Sequence, residues 1–181
     1  MDTNTESLLI RRFRPGDWRD LHEYLSQPAV VKYEPYDVFT EEASRREAAR
    51  RADDPAFWAV CLRDCGKLIG NVYLSEQAFG TWELGYVFNE NFQGMGYATE
   101  AARALLDDVF ANRNARRVVA MCNPLNAASW RLLERLGLRR EGHFIKNVYF
   151  KHDAAGNPIW GDTYAYGMLK EEWNSRCAYE H

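Results

Sequence analysis

The chain has 181 residues, of which 46% are hydrophobic and 27% charged, as expected of one globular domain over residues 1–181. Its formal net charge of −3 provides no general attraction for nucleic acid or for an anionic membrane surface. The cysteines have neither C-x-x-C spacing nor histidines at zinc-ligand spacing, which predicts no metal site and isolated thiols at Cys61, Cys65, Cys122 and Cys177.

The N-terminal residues 1–13 lack the basic and then apolar order of a signal peptide. No apolar run approaches the ~20 residues that a membrane-spanning helix needs. Together with the isolated thiols, these two features predict a soluble protein of the cytoplasm.

The first quarter of the chain predicts one strand and two helices. Residues 8–13 are strand-like, and the helix that begins near Pro15 carries an apolar stripe at Trp18, Leu21, His22 and Leu25. Residues 27–39 contain two prolines and no clear period, which indicates a loop. Thr40 is the expected N-cap of the second helix. That helix has few large apolar residues, so we expect a largely exposed surface that includes Arg45, Arg46, Arg50 and Arg51.

Three strands are predicted at residues 57–64, 67–75 and 81–89. The first two are separated by Cys65-Gly66, which is typical of a tight hairpin turn. Such short connections favour antiparallel pairing.

The second half of the chain alternates helices and strands. The sequence predicts a helix at 98–113, a buried strand at 116–124, a helix from Asn126 to the stop signal Gly137, and strands near 138–150 and 162–170. The predicted order is β-α-α-β-β-β-α-β-α-β-β.

The stretch Asn89–Ala101 places Gly94 and Gly96 between a predicted strand and a predicted helix. Free N–H groups and the helix dipole at such a position attract phosphate, and glycine lets a ligand approach the backbone. A turn that only needs positive φ is an equally good explanation of two glycines. A Walker loop is absent, and a dinucleotide fingerprint is disfavoured by Thr99 and by the basic stretch at 115–119.

The segment Gln93-Gly94-Met95-Gly96-Tyr97-Ala98 resembles the Gln/Arg-x-x-Gly-x-Gly/Ala motif of the GCN5-related N-acetyltransferase (GNAT) family. Residues 82–101, 123–142 and 161–169 are similar to three blocks of its RimJ/RimL-like branch, the ribosomal-protein alanine acetyltransferases. The resemblance implies an α/β (α+β) fold with a central, mixed and mostly antiparallel sheet flanked by helices. It also implies an enzyme that transfers acetyl from acetyl-CoA, its co-substrate, to an amine by direct attack in a ternary complex, without a metal.

Several roles follow from the resemblance. The N–H groups of residues 93–98 would bind the coenzyme pyrophosphate, and the backbone N–H near Phe88 would stabilise the oxyanion. The coenzyme-binding residues it implies are Val87, Phe88, Gln93, Gly94, Met95, Gly96, Tyr97, Ala98, Thr99, Asn126 and Ser129.

Glu83, on the strand that leads into the glycine loop, is the candidate general base that removes the proton of the acceptor ammonium. The alternative is a surface acid paired with an arginine. Glu141 and Asp162 are weaker candidates for the same role.

For protonation of the leaving thiolate the resemblance indicates Ser129, because the helix after it contains no tyrosine. Asn126 would lie on the same helical face and bind the pantetheine arm. The alternative is that Asn126 caps the helix and Ser129 only packs.

The resemblance also indicates Tyr33, Tyr36 and Phe39 as walls of the acceptor site, although a surface loop that covers core edges would explain them equally well. The acceptor could be a protein N-terminal α-amine, such as that of a ribosomal protein, or a small-molecule amine. No direct contact with nucleic acid or membrane is expected, and monomer and homodimer remain open. A catalytically inactive acyl-CoA-binding module of the same fold is the alternative function.

Overall fold

The computed structural model describes residues 2–179, with side chains described through Ser175. The chain divides into two compact units. The first unit consists of the residues up to Ser75 together with Gly85–Leu105, and the second consists of Glu76–Leu84 and the residues from Leu106 onward. One domain over residues 1–181 stays a prediction.

The first unit contains the N-terminal strands and helices. Its strands follow the order β1-β2-β3-β4-β5, and β1 to β4 pair antiparallel, each with the next. The strands are β1 (Thr3–Asn4), β2 (Leu8–Arg12), β3 (Phe57–Leu62), β4 (Leu68–Glu76) and β5 (Thr81–Phe88), of which residues 85–88 belong to this unit. The helices are α1 (Trp18–Leu25), α2 (Pro28–Val31), α3 (Glu41–Asp53) and the first part of α4 (Tyr97–Asn112).

Local sequence signals explain several of these boundaries. Gly66, with φ of 73°, makes the left-handed turn of the β3–β4 hairpin, as Cys65-Gly66 predicted. The hydroxyl of Thr40 accepts a hydrogen bond from the Ala43 N–H over 3.2 Å and caps α3, as predicted. Leu21 and Leu25, one helical turn apart on α1, lie in the core of this unit.

The second unit contains the C-terminal elements. Residues 81–84 of β5 pair parallel with β6, β6 pairs antiparallel with β8, and β8 pairs antiparallel with β7. The bounds are β6 (Arg117–Cys122), α5 (Ala127–Leu136), β7 (Arg139–His152), β8 (Pro158–Leu169) and α6 (Lys170–Tyr179). Gly137 ends α5 with φ of 89°, which confirms it as the predicted stop signal.

The predicted class, α/β with a mixed and mostly antiparallel sheet, is confirmed, and the elements that were predicted occur in the predicted sequence along the chain. Three elements were missed. Helix α2 lies inside the predicted loop 27–39, where Pro28 occupies the first helical position with a backbone angle already suited to a helix. Strand β1 has only two residues, too few to show alternation, and the polar α6 shows almost no apolar stripe.

The prediction of a solvated arginine face on α3 was wrong for one member. Arg51 is only 3% exposed, whereas Arg45, Arg46 and Arg50 are exposed. Arg51 tolerates burial because Glu47 and Asn71 accept hydrogen bonds from its guanidinium, over 2.7 and 2.8 Å.

Three further features concern the described part of the chain. Cys61, Cys65 and Cys122 are free thiols, while the side chain of Cys177 lies outside the described residues. Within residues 2–175 no three acidic, histidine or cysteine side chains are grouped as a metal site would need. None of the helices described has the length and apolar character to span a membrane.

Candidate active site

The glycine loop connects β5 to α4 in the first unit. After Phe88 the chain makes a short 3₁₀ turn at Glu90–Phe92, and α4 begins at Tyr97. Gly94 and Gly96 have φ of 75° and 88°, a backbone conformation that favours glycine. A Cβ built on either residue meets no atom within 4 Å. Positive φ therefore explains why glycine is needed, and the open space beside both residues is what a cradle for a ligand requires.

The start of α4 adds a favourable field for an anion. The helix has 16 residues, and the Glu100 N–H bonds to the Gly96 carbonyl over 3.0 Å, so the N–H groups of residues 97–99 precede the helical ladder. The carboxylate of Glu100 accepts hydrogen bonds from the Thr5 hydroxyl, at 2.5 Å, and from the Ser7 N–H, at 2.8 Å. These two donors fix the position of the Glu100 carboxylate, whose own negative charge still acts against an anion at this end of the helix.

The glutamine of the motif has a structural contact. The amide of Gln93 donates a hydrogen bond to the carbonyl oxygen of Phe88 over 3.0 Å. This contact joins the start of the glycine loop to the end of β5. It fixes the Gln93 side chain against the strand that precedes the loop.

Asn89, the residue directly after β5, holds the start of the same loop in place. The sequence analysis did not identify it. Its side chain is fully buried, donates to Glu23 over 2.8 Å, and accepts from Gln27 over 3.3 Å and from the Asn91 N–H over 3.1 Å. Its backbone N–H donates to Ile69 over 2.9 Å. An asparagine at the end of a strand, directly before a turn, was the available signal, because asparagine often bonds the backbone two residues later.

The last residues of β5 lie unusually close to β4. A Cβ on Gly70 would come within 2.6 Å of the Phe88 ring and 2.7 Å of the Val87 carbonyl oxygen. Glycine at position 70 therefore allows the close approach of Phe88, which is only 6% exposed. Val87 packs against the core of the first unit.

The three aromatic residues predicted for the acceptor site are half-buried in the first unit. The rings of Tyr36 and Phe39 meet edge to face with centroids 5.2 Å apart, and both pack against the core cluster that Val87 also contacts. The ammonium of Lys32 lies 5.1 Å from the Tyr33 ring. The packing of Tyr36 and Phe39 agrees with a role in covering core edges. Val87, near the end of β5, packs against the same core cluster.

Glu83 lies in the second unit, on the half of β5 that pairs with β6, where it is opposite Val119. Its side chain is half-buried, and its carboxylate is 3.5 Å from the amide nitrogen of Gln77. Among the described residues no arginine forms an ion pair with Glu83, so the interpretation as a surface acid paired with arginine is not supported.

The two weaker candidates for the base have strong partners. Glu141 forms ion pairs with Arg117 and Arg139, and the Arg117 hydrogen bond lowers the pKa of Glu141. The carboxylate of Asp162 accepts from the Lys146 N–H and contacts His143 Nε2, each at 2.8 Å. The Lys146 N–H, followed by His143, lowers the pKa of Asp162. Carboxylates with lowered pKa values are poorer proton acceptors.

Asn126 and Ser129 lie at the start of α5 in the second unit. Asn126 is the N-cap, and its side-chain oxygen accepts the Ser129 N–H over 3.2 Å. The Ser129 hydroxyl is hydrogen-bonded to the thiol of Cys122 on β6. Burial raises the pKa of Cys122 to about 11, and the Ser129 contact partly offsets that effect. A helix cap was one of the two roles predicted for Asn126, the other being a contact with the pantetheine arm.

The structure thus groups the predicted residues in two sets. The first unit contains the glycine loop, Val87, Phe88 and the aromatic segment, while the second contains Glu83, Asn126 and Ser129. Sequence reasoning missed Asn89 and also Glu34, a half-buried acid between Tyr33 and Tyr36.

The chain is similar to several known proteins. The family model described as "Acetyltransferase (GNAT) domain" matches residues 7–139. An uncharacterized N-acetyltransferase of Bacillus subtilis, YnaD, is 42% identical over 177 residues, which are 96% of this chain and 100% of that protein. A putative ribosomal N-acetyltransferase of the same organism, YdaF, is 30% identical over 93% of this chain and 94% of its own length.

A solved structure is also similar. The crystal structure of a GNAT-family acetyltransferase from Bacillus anthracis superposes with a TM-score of 0.86 at 38% identity, covering 95% of this chain and 100% of that one. The family model covers well over half of the chain, and the sequence and structure relatives extend over nearly all of it. The chain therefore belongs to the GCN5-related N-acetyltransferase (GNAT) family of enzymes.

Proposed function

We propose that this enzyme transfers an acetyl group from acetyl-CoA to a primary amine by direct attack in a ternary complex. The observation that carries the proposal is the glycine loop at the N-terminus of α4. Gly94 and Gly96 expose their backbone to open space, and Gln93 and Asn89 fix the loop in that shape. Such a loop suits the pyrophosphate of the coenzyme.

The chemistry divides into three tasks, for which the chain offers one group each. The amine nitrogen attacks the thioester carbonyl carbon and its proton passes to Glu83, directly or through water. The backbone N–H near Phe88 stabilises the oxyanion that forms on the carbonyl oxygen. The C–S bond then breaks, the sulfur keeps the electron pair, and Ser129 supplies a proton to the thiolate.

The acceptor in this proposal is either a protein N-terminal α-amine, including that of a ribosomal protein, or a small-molecule amine. The RimJ/RimL-like motifs and the name of the relative YdaF support the first class. The half-buried aromatic residues Tyr33, Tyr36 and Phe39 would line the acceptor site and are compatible with both classes. We place the reaction in the cytoplasm, in keeping with its free thiols.

The test is an assay of thiol release from acetyl-CoA with a panel of peptides and small amines. Amine-dependent release, with a new amide bond found by mass spectrometry, is the expected result. Calorimetric binding of coenzyme A without turnover of any amine would instead identify the inactive acyl-CoA-binding module. Absence of coenzyme A binding would exclude both the acetyltransferase and the inactive binding module.

A further inference from the structure

Glu100 lies in the first turn of α4, at the end of the helix where backbone N–H groups precede the helical ladder. A carboxylate at this place has two ways to act against an anion. Its charge opposes a second negative charge at the same helix end. It can also reach back to a free N–H three residues earlier, as the glutamate of a capping box does, and here that N–H belongs to Tyr97. An unrestrained Glu100 would therefore compete with a phosphate for the donors of the glycine loop.

The Glu100 carboxylate is bound to a different part of the first unit. Its Oε1 accepts a hydrogen bond from the Thr5 hydroxyl over 2.5 Å and another from the Ser7 N–H over 2.8 Å. Both donors belong to residues 5–7, which connect β1 to β2 and which we call the N-terminal turn. Neither donor is charged, so the two bonds fix the carboxylate at the N-terminal turn without neutralising it.

The N-terminal turn holds its two donors in fixed positions. The Thr5 N–H donates to the Leu8 carbonyl over 2.9 Å, and the Leu8 N–H donates to the Thr5 hydroxyl oxygen over 3.1 Å. The hydroxyl proton of Thr5 then points to Glu100, which is nearer than the alternative acceptor, the Leu8 carbonyl, at 3.3 Å. Leu8 is fully buried, and the Arg63 N–H donates to the Ser7 carbonyl over 2.9 Å. The turn is therefore anchored to the sheet on both sides of its donors.

These contacts connect the N-terminal turn to the helix end that follows the glycine loop. We propose, on the basis of the coenzyme-binding role proposed above for that loop, that Thr5 and Ser7 are positioning residues that act through Glu100. They keep its carboxylate at the N-terminal turn, so that the N–H of Tyr97 and its neighbours stay available to the pyrophosphate. Affinity for the coenzyme then depends on a hydroxyl that lies outside the loop itself.

A purely structural contact between Thr5 and Glu100 would behave differently when either partner is removed. Each substitution would then lower the free energy of unfolding, and any loss of coenzyme affinity would follow from that loss of stability. In the positioning role the two partners have opposite effects on affinity. Loss of the Thr5 hydroxyl releases a competing carboxylate, whereas loss of Glu100 removes the competitor. The sign of the change in affinity therefore distinguishes the two roles.

Titration calorimetry with coenzyme A, together with urea unfolding, makes the test. We expect Thr5→Val to bind coenzyme A about tenfold more weakly than the parent, the size of effect that a charge has at a helix N-terminus. Glu100→Ala should be less stable than the parent, because two donors lose their acceptor, but it should bind coenzyme A at least as tightly. The double variant Thr5→Val/Glu100→Ala should bind like Glu100→Ala, because no carboxylate remains to be released.

Two further variants serve as controls for the change at Thr5. Thr5→Ser keeps the hydroxyl and should keep the affinity of the parent. Thr3→Val makes the same change of side chain two residues earlier, on β1, and should also keep that affinity. In the acetyl-transfer assay Thr5→Val should raise KM for acetyl-CoA by about tenfold while kcat stays near that of the parent, the division expected when only binding is weakened.

Calorimetry also separates this proposal from the proposed function. Weaker binding by Thr5→Val that is restored in the double variant upholds the positioning role, even if no amine is acetylated. Equal binding of coenzyme A by the parent and Thr5→Val overturns it. A double variant that binds as weakly as Thr5→Val also overturns it, because competition by Glu100 would not be the cause. If the parent itself does not bind coenzyme A, both the cradle and this role are excluded.

Discussion

The buried side chain of Asn89 donates to Glu23 over 2.8 Å and thereby ties the end of β5 to helix α1. Glu23 in turn forms an ion pair with Lys67 at 2.6 Å. The Lys67 hydrogen bond is the main cause of the lowered pKa of Glu23, and Asn89 adds to it. The acid is thus ionised and acts as a strong acceptor for Asn89, which itself orients the Asn91 N–H over 3.1 Å.

Asn89→Ala should therefore loosen the glycine loop and weaken the fold. Leaving the partners of a buried amide unpaired typically costs about 1–3 kcal/mol of unfolding free energy. Affinity for coenzyme A should fall as well, because the loop would no longer be held in one shape. Asn91→Ala is the control, because the contact between residues 89 and 91 uses the backbone N–H of residue 91, which alanine retains. Urea unfolding and calorimetry measure both effects, and equal coenzyme affinity in the two variants would contradict an anchoring role.

The cradle itself is tested by substitution of Gly96. At φ of 88°, any side chain there is strained, so lost stability alone would be uninformative. Gly66, at φ of 73° in the β3–β4 hairpin, provides a matched control, because a Cβ at either glycine meets nothing within 4 Å. Gly96→Ala and Gly66→Ala should each lose about 1–2 kcal/mol.

Only the Gly96 variants should lose affinity for coenzyme A, and Gly96→Val should lose more than Gly96→Ala because its larger side chain occupies the phosphate position. Titration calorimetry with coenzyme A gives the comparison. If Gly96→Val binds as tightly as the parent, the loop is a turn and not a cradle. If Gly66→Ala loses affinity to the same extent, strain is the cause.

Sequence patterns predicted the features that depend on neighbours along the chain. The Thr40 cap, the Gly66 turn, the Gly137 stop and the glycine loop each involve residues within a few positions, so local rules were sufficient. The Asn89–Glu23 bond joins residues 66 positions apart, and no local pattern contains that information.

The burial of Arg51 was hidden for a similar reason. Its helix is so polar that periodicity predicted a solvated face, but Asn71 on β4, 20 positions away, supplies a buried acceptor. Glu34 was not noticed because one acid in an irregular segment has no sequence signal.

Ser129 has two interpretations that mutation can separate. Its hydroxyl is hydrogen-bonded to the Cys122 thiol, a contact that a purely structural serine would also make. If Ser129 protonates the leaving thiolate, Ser129→Ala should keep coenzyme affinity but slow turnover by roughly 10²-fold, the lower end for acid catalysis. Cys122→Ala removes the thiol partner and should leave turnover nearly unchanged.

The measurement is single-turnover thiol release, which isolates the chemical step. Ser129→Ala should also raise the pKa of Cys122 above the value of about 11, because the Ser129 contact lowers it. Slower alkylation of Cys122 at a fixed alkaline pH would report that shift independently of catalysis. A normal rate of thiol release in Ser129→Ala would return the residue to a packing role.

Glu83 decides between an enzyme and a binding module. Glu83→Gln keeps the shape and the 3.5 Å neighbour Gln77, so folding and coenzyme affinity should change little. Turnover at neutral pH should fall roughly 10²- to 10⁴-fold if Glu83 is the general base. The loss should shrink as pH rises, because free amine then becomes available without help from the protein. Glu141→Gln is the control, since Glu141 is already paired with Arg117 and Arg139 and its pKa is lowered.

A pH–rate profile of the parent and both variants, with one amine as acceptor, gives the answer. A loss in Glu83→Gln that stays constant at high pH would mean that the carboxylate positions the acceptor ammonium instead of removing its proton. Equal neutral-pH rates in parent and Glu83→Gln would exclude Glu83 as the base. A larger loss in Glu141→Gln, under the same conditions, would transfer the role to Glu141 despite its two arginine partners. If none of the proteins turns over while all bind coenzyme A, the loop serves binding alone.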